Sequence, residues 1–552
     1  MTHQTLYTAL RRHADPDRCM ETMRRIWEND RLFSFDAFGR TAQYCAARIA
    51  DAGFAEVETL PLTADGRTAY GDWVVPQAWD AGSARLEILS PTVEEPLLAA
   101  YPDTPCSLVM YSAPTPPEGA LGEVLAAEDA SALAGLDLSG KLLFVRKAPP
   151  SSMLEAAIRG GALGVLSDFF PMYRGVRESR ADVYEHCRWE NTFAKPLNEA
   201  GLFAFSLSPR QGDRLQALLA SGPVTLRAHV DTRSYDGAAA TVTGLLPGKT
   251  REEVLGYGHL YEPGAEDNAS GCAALIEALW LLREAIDSGG LPPPERGIRV
   301  AMGFECAGSM GYFAMHPERI GSTRAGLVAD MVGTQDIDRT SLTVWHNPQA
   351  SAGYVDRLIL EQIKAVASCD SAPFPYREQR FSIGTDNILA DPCFRMPTVA
   401  LIAEPALSYH SSMDRAERIE PQVLLRSAIL CAMYLYAAAN LPEEAFVPDP
   451  VPEAPPLNGD TRVPVRRVLG CLTLEGGERV ERMPEQERAK WQPAWNTRLN
   501  TPLFWADGSR TVAQIAALSA RELNVKDPAA YAEEIGAYFT FLAQYGYLDW
   551  KE

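Results

Sequence analysis

Strand-like and helix-like segments alternate between residues 236 and 440, and this alternation constrains the fold more than any other feature. Short apolar runs such as EEVLGYGH and IRVAMGFE predict buried strands, and the longer segment NASGCAALIEALWLL predicts a helix between them. Strands that alternate with helices along a chain form βαβ units around a mostly parallel sheet. The sequence therefore predicts an α/β fold with a mixed, mostly parallel sheet flanked by helices.

Changes in sequence character divide the 552 residues into several units, because a chain of this length exceeds one compact core. Residues 93–235 predict a small α/β module that is inserted into a larger domain made from residues 1–92 and 236–442. Residues 443–465 predict a linker, since the segment LPEEAFVPDPVPEAPPLNGDTRVPV is too rich in proline for a helix or a central strand. Residues 466–552 predict helices that end in a short hairpin, as in a winged-helix domain.

Composition excludes several classes of partner. A net charge of −21 argues against nucleic acid, because phosphate contacts need clustered Lys and Arg. No apolar run approaches the ~20 residues of a membrane span, and the first residues lack the pattern of a signal peptide. The ten cysteines are scattered without paired spacing, which predicts reduced thiols and a cytoplasmic protein. Homo-oligomerisation stays open at this stage.

Each of four apolar runs in the alternating region stops at, or leads to, a residue that can bind a metal ion. Three runs end at His259, Glu305 and Asp330, and Asp267 follows the first of them closely. The fourth run, TVALIAEPALSYH, leads to His410. In open α/β sheets, active sites form at the carboxyl ends of the strands. Two histidines and several carboxylates at such ends match the nitrogen and oxygen ligands that Zn²⁺ prefers.

Each of these residues, taken alone, also has an ordinary structural explanation. His259 suits a hydrogen-bonded core histidine, Asp267 a helix N-cap, and Asp330 the cap of a turn. Glu305 is harder to explain in this way, because a carboxylate at a buried strand end needs a partner. The ordered set of groups therefore favours a metal site over coincidence.

The motifs HLY, DNASG, ECAGSMGY, DMVG and YHSSMD occur in this order, and with them the chain resembles the co-catalytic zinc exopeptidase family. That family includes leucyl aminopeptidases, glutamate carboxypeptidase and glutaminyl cyclases, and the resemblance extends over roughly residues 20 to 440. The inserted module, with DLSGKLLFVRK and AAIRGGALGVL, is similar to a protease-associated domain. The C-terminal region resembles the winged-helix appendage of an aminopeptidase-like branch.

The resemblance implies the zinc exopeptidase fold and a set of metal ligands. His259 and Asp330 would bind one zinc ion, Asp267 would bridge two ions, and His410 would bind the second. All four residues stand at the positions where the family's motifs carry its ligands.

The resemblance also implies an activity, which is hydrolysis of peptide or peptide-like amide bonds, with an aminopeptidase as the first expectation. Glu305 corresponds to the general base that takes a proton from the attacking water. Asp386, in the segment SIGTDN, and Tyr409 are candidates for contact with the substrate.

Two residues depart from the family pattern. Tyr261 replaces the Asp that orients the first histidine. Either another group orients His259, or His259 is held less firmly. Cys306 replaces a carboxylate ligand of the second zinc ion. A thiolate binds zinc well, but Cys is shorter than Glu, and a small packed thiol is the equal alternative. The sequence thus predicts one complete zinc site and a second, altered one.

Three functions are compatible with this pattern. The first is the zinc-dependent hydrolase with Glu305 as base, acting on a peptide or peptide-like small substrate. The second is a lapsed enzyme that uses the same fold for binding or assembly. The third is a zinc-dependent enzyme that forms or cyclises an amide on a small metabolite. Retention of the base together with the ligands favours the hydrolase.

Overall fold

Two large sheets organise the protein in the computed structural model, which describes residues 2–191, 200–371, 373–451 and 453–551. In chain order the strands are β1 (Ala55–Ala64), β2 (Ala69–Tyr70), β3 (Trp73–Val74), β4 (Ala78–Ser90), β5 (Leu97–Tyr101), β6 (Ala120–Ala127), β7 (Lys141–Val145), β8 (Gly164–Ser167), β9 (Phe203–Ser206), β10 (Thr225–Tyr235), β11 (Gly237–Leu246), β12 (Glu253–Leu260), β13 (Gly297–Phe304), β14 (Thr323–Asp330), β15 (Leu342–Trp345), β16 (Tyr376–Gln379), β17 (Thr398–Ile402), β18 (Pro464–Arg466) and β19 (Leu548–Trp550). The α-helices are His3–Arg11, Pro16–Asp30, Phe35–Asp51, Leu154–Gly160, Pro209–Ser221, Ala269–Asp287, Ala307–Met315, Tyr354–Asp370, Pro421–Ala439, Glu478–Glu481, Glu485–Arg488, Thr497–Asn500, Val512–Glu522 and Pro528–Gln544.

The first sheet has eight strands in the order β1-β11-β13-β12-β14-β17-β15-β16. Its four central strands, β13, β12, β14 and β17, run parallel to one another, and antiparallel pairs join them to β11 and β15. All eight residues of β13 are buried, as expected for a strand covered by helices on both faces. The predicted fold class, a mixed and mostly parallel sheet with flanking helices, is confirmed.

Helices from distant parts of the chain cover this sheet. The helix Ala269–Asp287 packs against Pro421–Ala439 and against the N-terminal helix Pro16–Asp30. Among the described helices, Pro421–Ala439 alone is long and apolar enough to cross a membrane, by length and composition. Its apolar window is 78% buried inside the protein, which is typical of a core helix.

The second sheet has seven strands in the order β5-β4-β10-β6-β7-β8-β9. It begins with β4 at Ala78, so this sheet includes residues that the sequence assigned to the larger domain, whose boundary was placed at residue 92. The difference arises because β4 pairs along its whole length with β10, the last strand of the inserted module, and so belongs to that module. β10 ends at Tyr235, and β11 of the first sheet begins two residues later. The chain therefore enters and leaves the inserted module through neighbouring strands.

The C-terminal region forms its own apolar cluster around the helices Val512–Glu522 and Pro528–Gln544. The expected terminal hairpin is wrong, because β19 pairs with β18, at the opposite end of this region. Residues 464–466 and 548–550 thus form a two-stranded antiparallel sheet between the two ends of the domain. Local sequence cannot reveal a partner strand about eighty residues away, so the pattern near the terminus suggested a hairpin instead.

Asp72 attaches the C-terminal domain to the first domain. Its Oδ2 accepts the backbone N–H groups of Thr473 and Leu474 at 2.8 Å each, and its Oδ1 accepts the Tyr547 hydroxyl at 2.7 Å. The side chain of Asp72 is buried. A buried carboxylate with three donors is a specific attachment, because its desolvation is offset only when the partners are in place.

Candidate active site

The structure brings the two predicted histidines together around Asp267. Asp267 Oδ1 lies 3.4 Å from His259 Nε2, and Asp267 Oδ2 lies 3.2 Å from His410 Nε2. Two donors on one tetrahedral zinc ion, with bonds of about 2.1 Å, lie about 3.4 Å apart. Each oxygen of Asp267 lies at about this distance from a different histidine nitrogen. Asp267 could therefore hold one ion together with His259 and another together with His410.

The buried donors of this cluster suit a cation. Within the described residues, His259 Nε2 and Asp330 Oδ1 are buried without a hydrogen bond of good geometry. Such atoms are costly to bury unless another group satisfies them. Imidazole nitrogen and carboxylate oxygen are the donors that zinc prefers. His259, Asp267, Asp330 and His410 therefore fit the predicted metal ligands by their chemistry.

His259 is oriented by Asp386. Asp386 Oδ2 lies 3.0 Å from His259 Nδ1, which places the proton on Nδ1 and turns the lone pair of Nε2 toward Asp267. The sequence predicts that Asp386 contacts the substrate. The structure instead buries its side chain completely beside His259, where none of it is exposed. Asp386 of the SIGTDN segment thus makes the hydrogen bond to His259 that the family's Asp, here Tyr261, would make.

Tyr261 has a structural role. Its ring packs against Phe35, Phe38 and Phe304, with centroid distances of 5.0, 5.2 and 5.2 Å. Its backbone N–H donates to the buried carboxylate of Asp30 at 2.9 Å. The residue that replaces the family's supporting Asp thus turns away from the metal centre into an aromatic cluster.

The DNASG loop is held in place by hydrogen bonds with Asp414 and with the end of β14. Asp414 accepts the backbone N–H groups of Glu266 and Asp267 at 2.7 and 3.1 Å. Asn268 donates to the carbonyl of Ala329 at 3.0 Å, next to the end of β14. Glycine is required at position 271, because a Cβ there would lie 2.2 Å from the Ala329 oxygen. The motif therefore fixes Asp267 at the end of β14.

His410 is held by the inserted module. The Trp189 backbone N–H donates to the His410 carbonyl at 2.9 Å, and the Trp189 ring meets the imidazole edge-on at 4.7 Å. Arg177, which is fully buried, donates through Nη2 to the carbonyls of Leu407 and Tyr409 at 2.6 and 2.8 Å. The Tyr409 ring stacks on His410 at 3.9 Å. Its predicted contact with substrate stays a prediction.

Cys306 is completely buried and begins the helix Ala307–Met315. Its backbone N–H donates to Asp386 Oδ1 at 2.7 Å. Burial raises the pKa of the Cys306 thiol well above its usual range, and a buried neutral thiol packs as a small apolar group. Of the two alternatives for this residue, the packed thiol agrees better with this environment.

Glu262 is a residue of the centre that the sequence analysis missed. Its Oε2 lies 3.9 Å from Nε2 of both His259 and His410. Donor atoms of Glu262, His259 and Asp267 all lie within 4.8 Å of one another. The available signal was the carboxylate in HLYE, one position after the place where the family has its Asp.

Glu305 lines a cavity of about 380 Å³. Its carboxyl is half-buried, and burial raises its pKa, with Asp386 and Asp330 acting in the same direction while His259 opposes them. Of the predicted catalytic residue and metal ligands, Glu305 alone lines this cavity, and it is close enough to His259 for the two charges to interact. A carboxylate with a raised pKa that lines a cavity is placed to act as a base.

The cavity is assembled from several parts of the chain. Its walls include the β2–β3 region, Tyr111 from the inserted module, and Glu475 and Trp495 from the C-terminal domain. The rings of Trp73 and Trp495 meet edge to face at 5.4 Å. Its remaining lining residues include Asp65, Arg67, Gln77, Asp236 and Phe304. The C-terminal domain therefore contributes directly to the cavity that contains Glu305.

Residues 216–435 match the model of Peptidase family M28. This segment is therefore similar in sequence to peptidase family M28. The M28 segment includes every predicted site residue, from His259 to His410. No curated protein is significantly similar to the chain in sequence.

Solved structures share the fold at low sequence identity. A protein of Clostridium acetobutylicum has a TM-score of 0.52 at 14% identity and covers 97% of this chain and 98% of its own. A peptidase M28 precursor of Shewanella amazonensis has a TM-score of 0.54 at 17% identity, with 79% and 98% covered. A zinc aminopeptidase of Bacillus subtilis has a TM-score of 0.53 at 16% identity, with 78% and 98% covered. The M28 domain thus has the zinc exopeptidase fold.

Proposed function

We propose that this protein is a zinc-dependent aminopeptidase that removes amino-terminal residues from peptides. The observation that carries the proposal is the position of Asp267 between His259 and His410, close to the base Glu305, which lines a cavity. The M28 match and the likeness to the Bacillus subtilis zinc aminopeptidase support the same class of reaction. His259, Asp267, Asp330 and His410 would hold zinc.

Zinc, when bound, would supply a Lewis acid that polarises the scissile carbonyl and acidifies water. The protein's own contribution is the placement of protons. Asp386 keeps a proton on His259 Nδ1, so the imidazole presents its other nitrogen as a ligand. Glu305 takes the proton of the attacking water and returns it to the amine that leaves.

The cavity supports an amino-terminal substrate. Asp65, Asp236 and Glu475 line it together with a single cation, Arg67, so its charge favours an ammonium group. Trp73 and Trp495 add an aromatic wall that suits a large apolar side chain. A volume of about 380 Å³ is at the small end of ligand pockets and suits one or two residues of a peptide.

The inserted module would shape access to this cavity as a protease-associated domain, and the C-terminal domain would shape it through Glu475 and Trp495. The cytoplasmic location and possible homo-oligomerisation stay predictions.

The test is hydrolysis of a panel of dipeptides and aminoacyl anilides, each with a free or an acetylated amino terminus. We expect cleavage of the free forms alone, loss of activity with a zinc chelator, and recovery on addition of Zn²⁺. Cleavage that ignores acetylation would contradict an aminopeptidase. A protein that binds zinc but cleaves nothing in the panel would favour the binding protein or the amide-forming enzyme.

A further inference from the structure

The second metal position has lost a family ligand at Cys306, and the structure offers a replacement. The Cys306 side chain is completely buried. Within the described residues, Glu262 lies in one cluster of close donors with His259 and Asp267, and its Oε2 also lies 3.9 Å from His410 Nε2, which is outside that cluster. Glu262 is the carboxylate of this cluster that the family pattern does not provide. It approaches both histidines equally, with 3.9 Å to each Nε2.

We propose that Glu262 completes the second zinc site with Asp267 and His410, in place of the carboxylate that Cys306 replaces. This inference rests on the proposed zinc-dependent function. Two donors on one zinc ion are expected about 3.4 Å apart, for bonds of about 2.1 Å. The distances from His410 Nε2 to Asp267 and Glu262, 3.2 and 3.9 Å, lie on either side of that value.

The buried negative charge around Glu262 also favours a cation at this position. Glu262, Asp267 and Asp330 are all buried, at 8%, 5% and 3% exposed. Within the described residues, the ion-pair partners of Glu262 inside 4.0 Å are the two histidines. Buried carboxylates without Lys or Arg partners are costly, and bound metal ions are the usual way in which proteins neutralise them.

The backbone explains how residue 262 reaches the centre. Tyr261 has a left-handed backbone, with φ of 81°, and Asp30 holds its N–H while its ring is buried among phenylalanines. The chain therefore turns sharply just after β12. The next side chain, Glu262, then lies beside His259 instead of continuing along the strand.

The experiment is zinc content per chain, by elemental analysis after dialysis against metal-free buffer. We expect about two zinc ions in the wild type and in Cys306→Ser, and about one in Glu262→Gln. Glu404→Gln is the matched control and should keep both ions, since Glu404 is near enough to Asp267 for their charges to interact but lies outside the cluster of donors. Two ions in Glu262→Gln, or one ion in the wild type or in Cys306→Ser, would overturn the proposal.

A second variant covers the case in which Glu262→Gln does not fold. Glu262→Asp keeps the charge but shortens the side chain, so the weaker zinc ion should dissociate at least about tenfold more readily. Wild-type affinity in Glu262→Asp would count against the assignment. If the wild type binds two zinc ions but hydrolyses no peptide, the proposed function alone is refuted. If it hydrolyses peptides with one zinc ion, this inference alone is refuted. A wild type without zinc would refute both.

Discussion

The carboxylate of Asp386 joins two strand ends of the site. Its Oδ2 lies 3.0 Å from His259 Nδ1, and its Oδ1 accepts the Cys306 backbone N–H at 2.7 Å. The same side chain thus fixes the first histidine and the residue that follows the base. In the family pattern the supporting Asp stands two positions after the histidine, whereas here the support is 127 positions away.

Loss of this support should weaken zinc binding. We expect Asp386→Ala to lower zinc affinity by about 10- to 100-fold, because an unsupported imidazole is less basic and less well oriented. Competition with a chromophoric chelator measures the affinity. Asp336→Ala, at an exposed aspartate, is the control. Unchanged affinity in Asp386→Ala would show that His259 is held by other groups.

Glu305 should be needed for the reaction and dispensable for the metal. Glu305→Gln keeps the shape of the side chain but cannot accept the proton, so kcat should fall by about 10²- to 10⁴-fold. Zinc content should stay at the wild-type level. Glu318→Gln, at an exposed position, should have normal kcat. Substantial activity in Glu305→Gln would mean that another group is the base.

The inserted module should stabilise the loop that carries His410. Arg177→Ala would leave the buried carbonyl of Leu407 and the partly buried carbonyl of Tyr409 without this donor. The buried carbonyl alone should cost about 1–3 kcal/mol. We expect a lower free energy of unfolding in denaturant and weaker zinc binding. Arg339→Ala, at a half-exposed arginine, should have a much smaller effect. If Arg177→Ala were as stable as the wild type, Arg177 of the inserted module would not stabilise this loop.

Trp495 should influence the choice of substrate through the cavity wall. Trp495→Ala should raise KM for substrates with a large apolar amino-terminal residue by about tenfold, with little change for alanyl substrates. Little change in kcat is expected, because Trp495 is not among the proposed ligands. Trp550→Ala is a control in the same domain but outside the cavity. Equal changes for large and small substrates would argue against an aromatic subsite.

His346 should make stability depend on pH. The hydrogen bond to Asp356 raises the pKa of His346, burial opposes it, and Glu378 adds to the increase. The folded pKa lies above the unfolded one, so the contribution is present below about pH 6.5 and is lost as pH rises through the folded pKa. Urea unfolding of wild type and His346→Gln should therefore differ more at pH 5.5 than at pH 8.5. A difference that grows with pH would contradict this assignment.

Much of the site could be predicted because its signals are local. A short apolar run that ends at His259, Glu305 or Asp330 predicts both a buried strand and a candidate site residue at its end, and parallel strands bring such ends together. The DNASG motif likewise combines a ligand with the glycine that permits close approach to β14. These features lie within a few residues of one another, so the sequence alone determined the fold class and singled out the residues that we propose as ligands.

The tertiary structure decided the features that depend on contacts between distant segments. The role of Asp386 depends on the path of the SIGTDN loop, and that of Glu262 depends on the turn at Tyr261. Asp72 and Trp495 show that the C-terminal domain adjoins the cavity, although its charge and helical pattern gave no sign of this. Such contacts arise from packing between surfaces, and packing leaves no periodic or spacing pattern in the sequence of either partner.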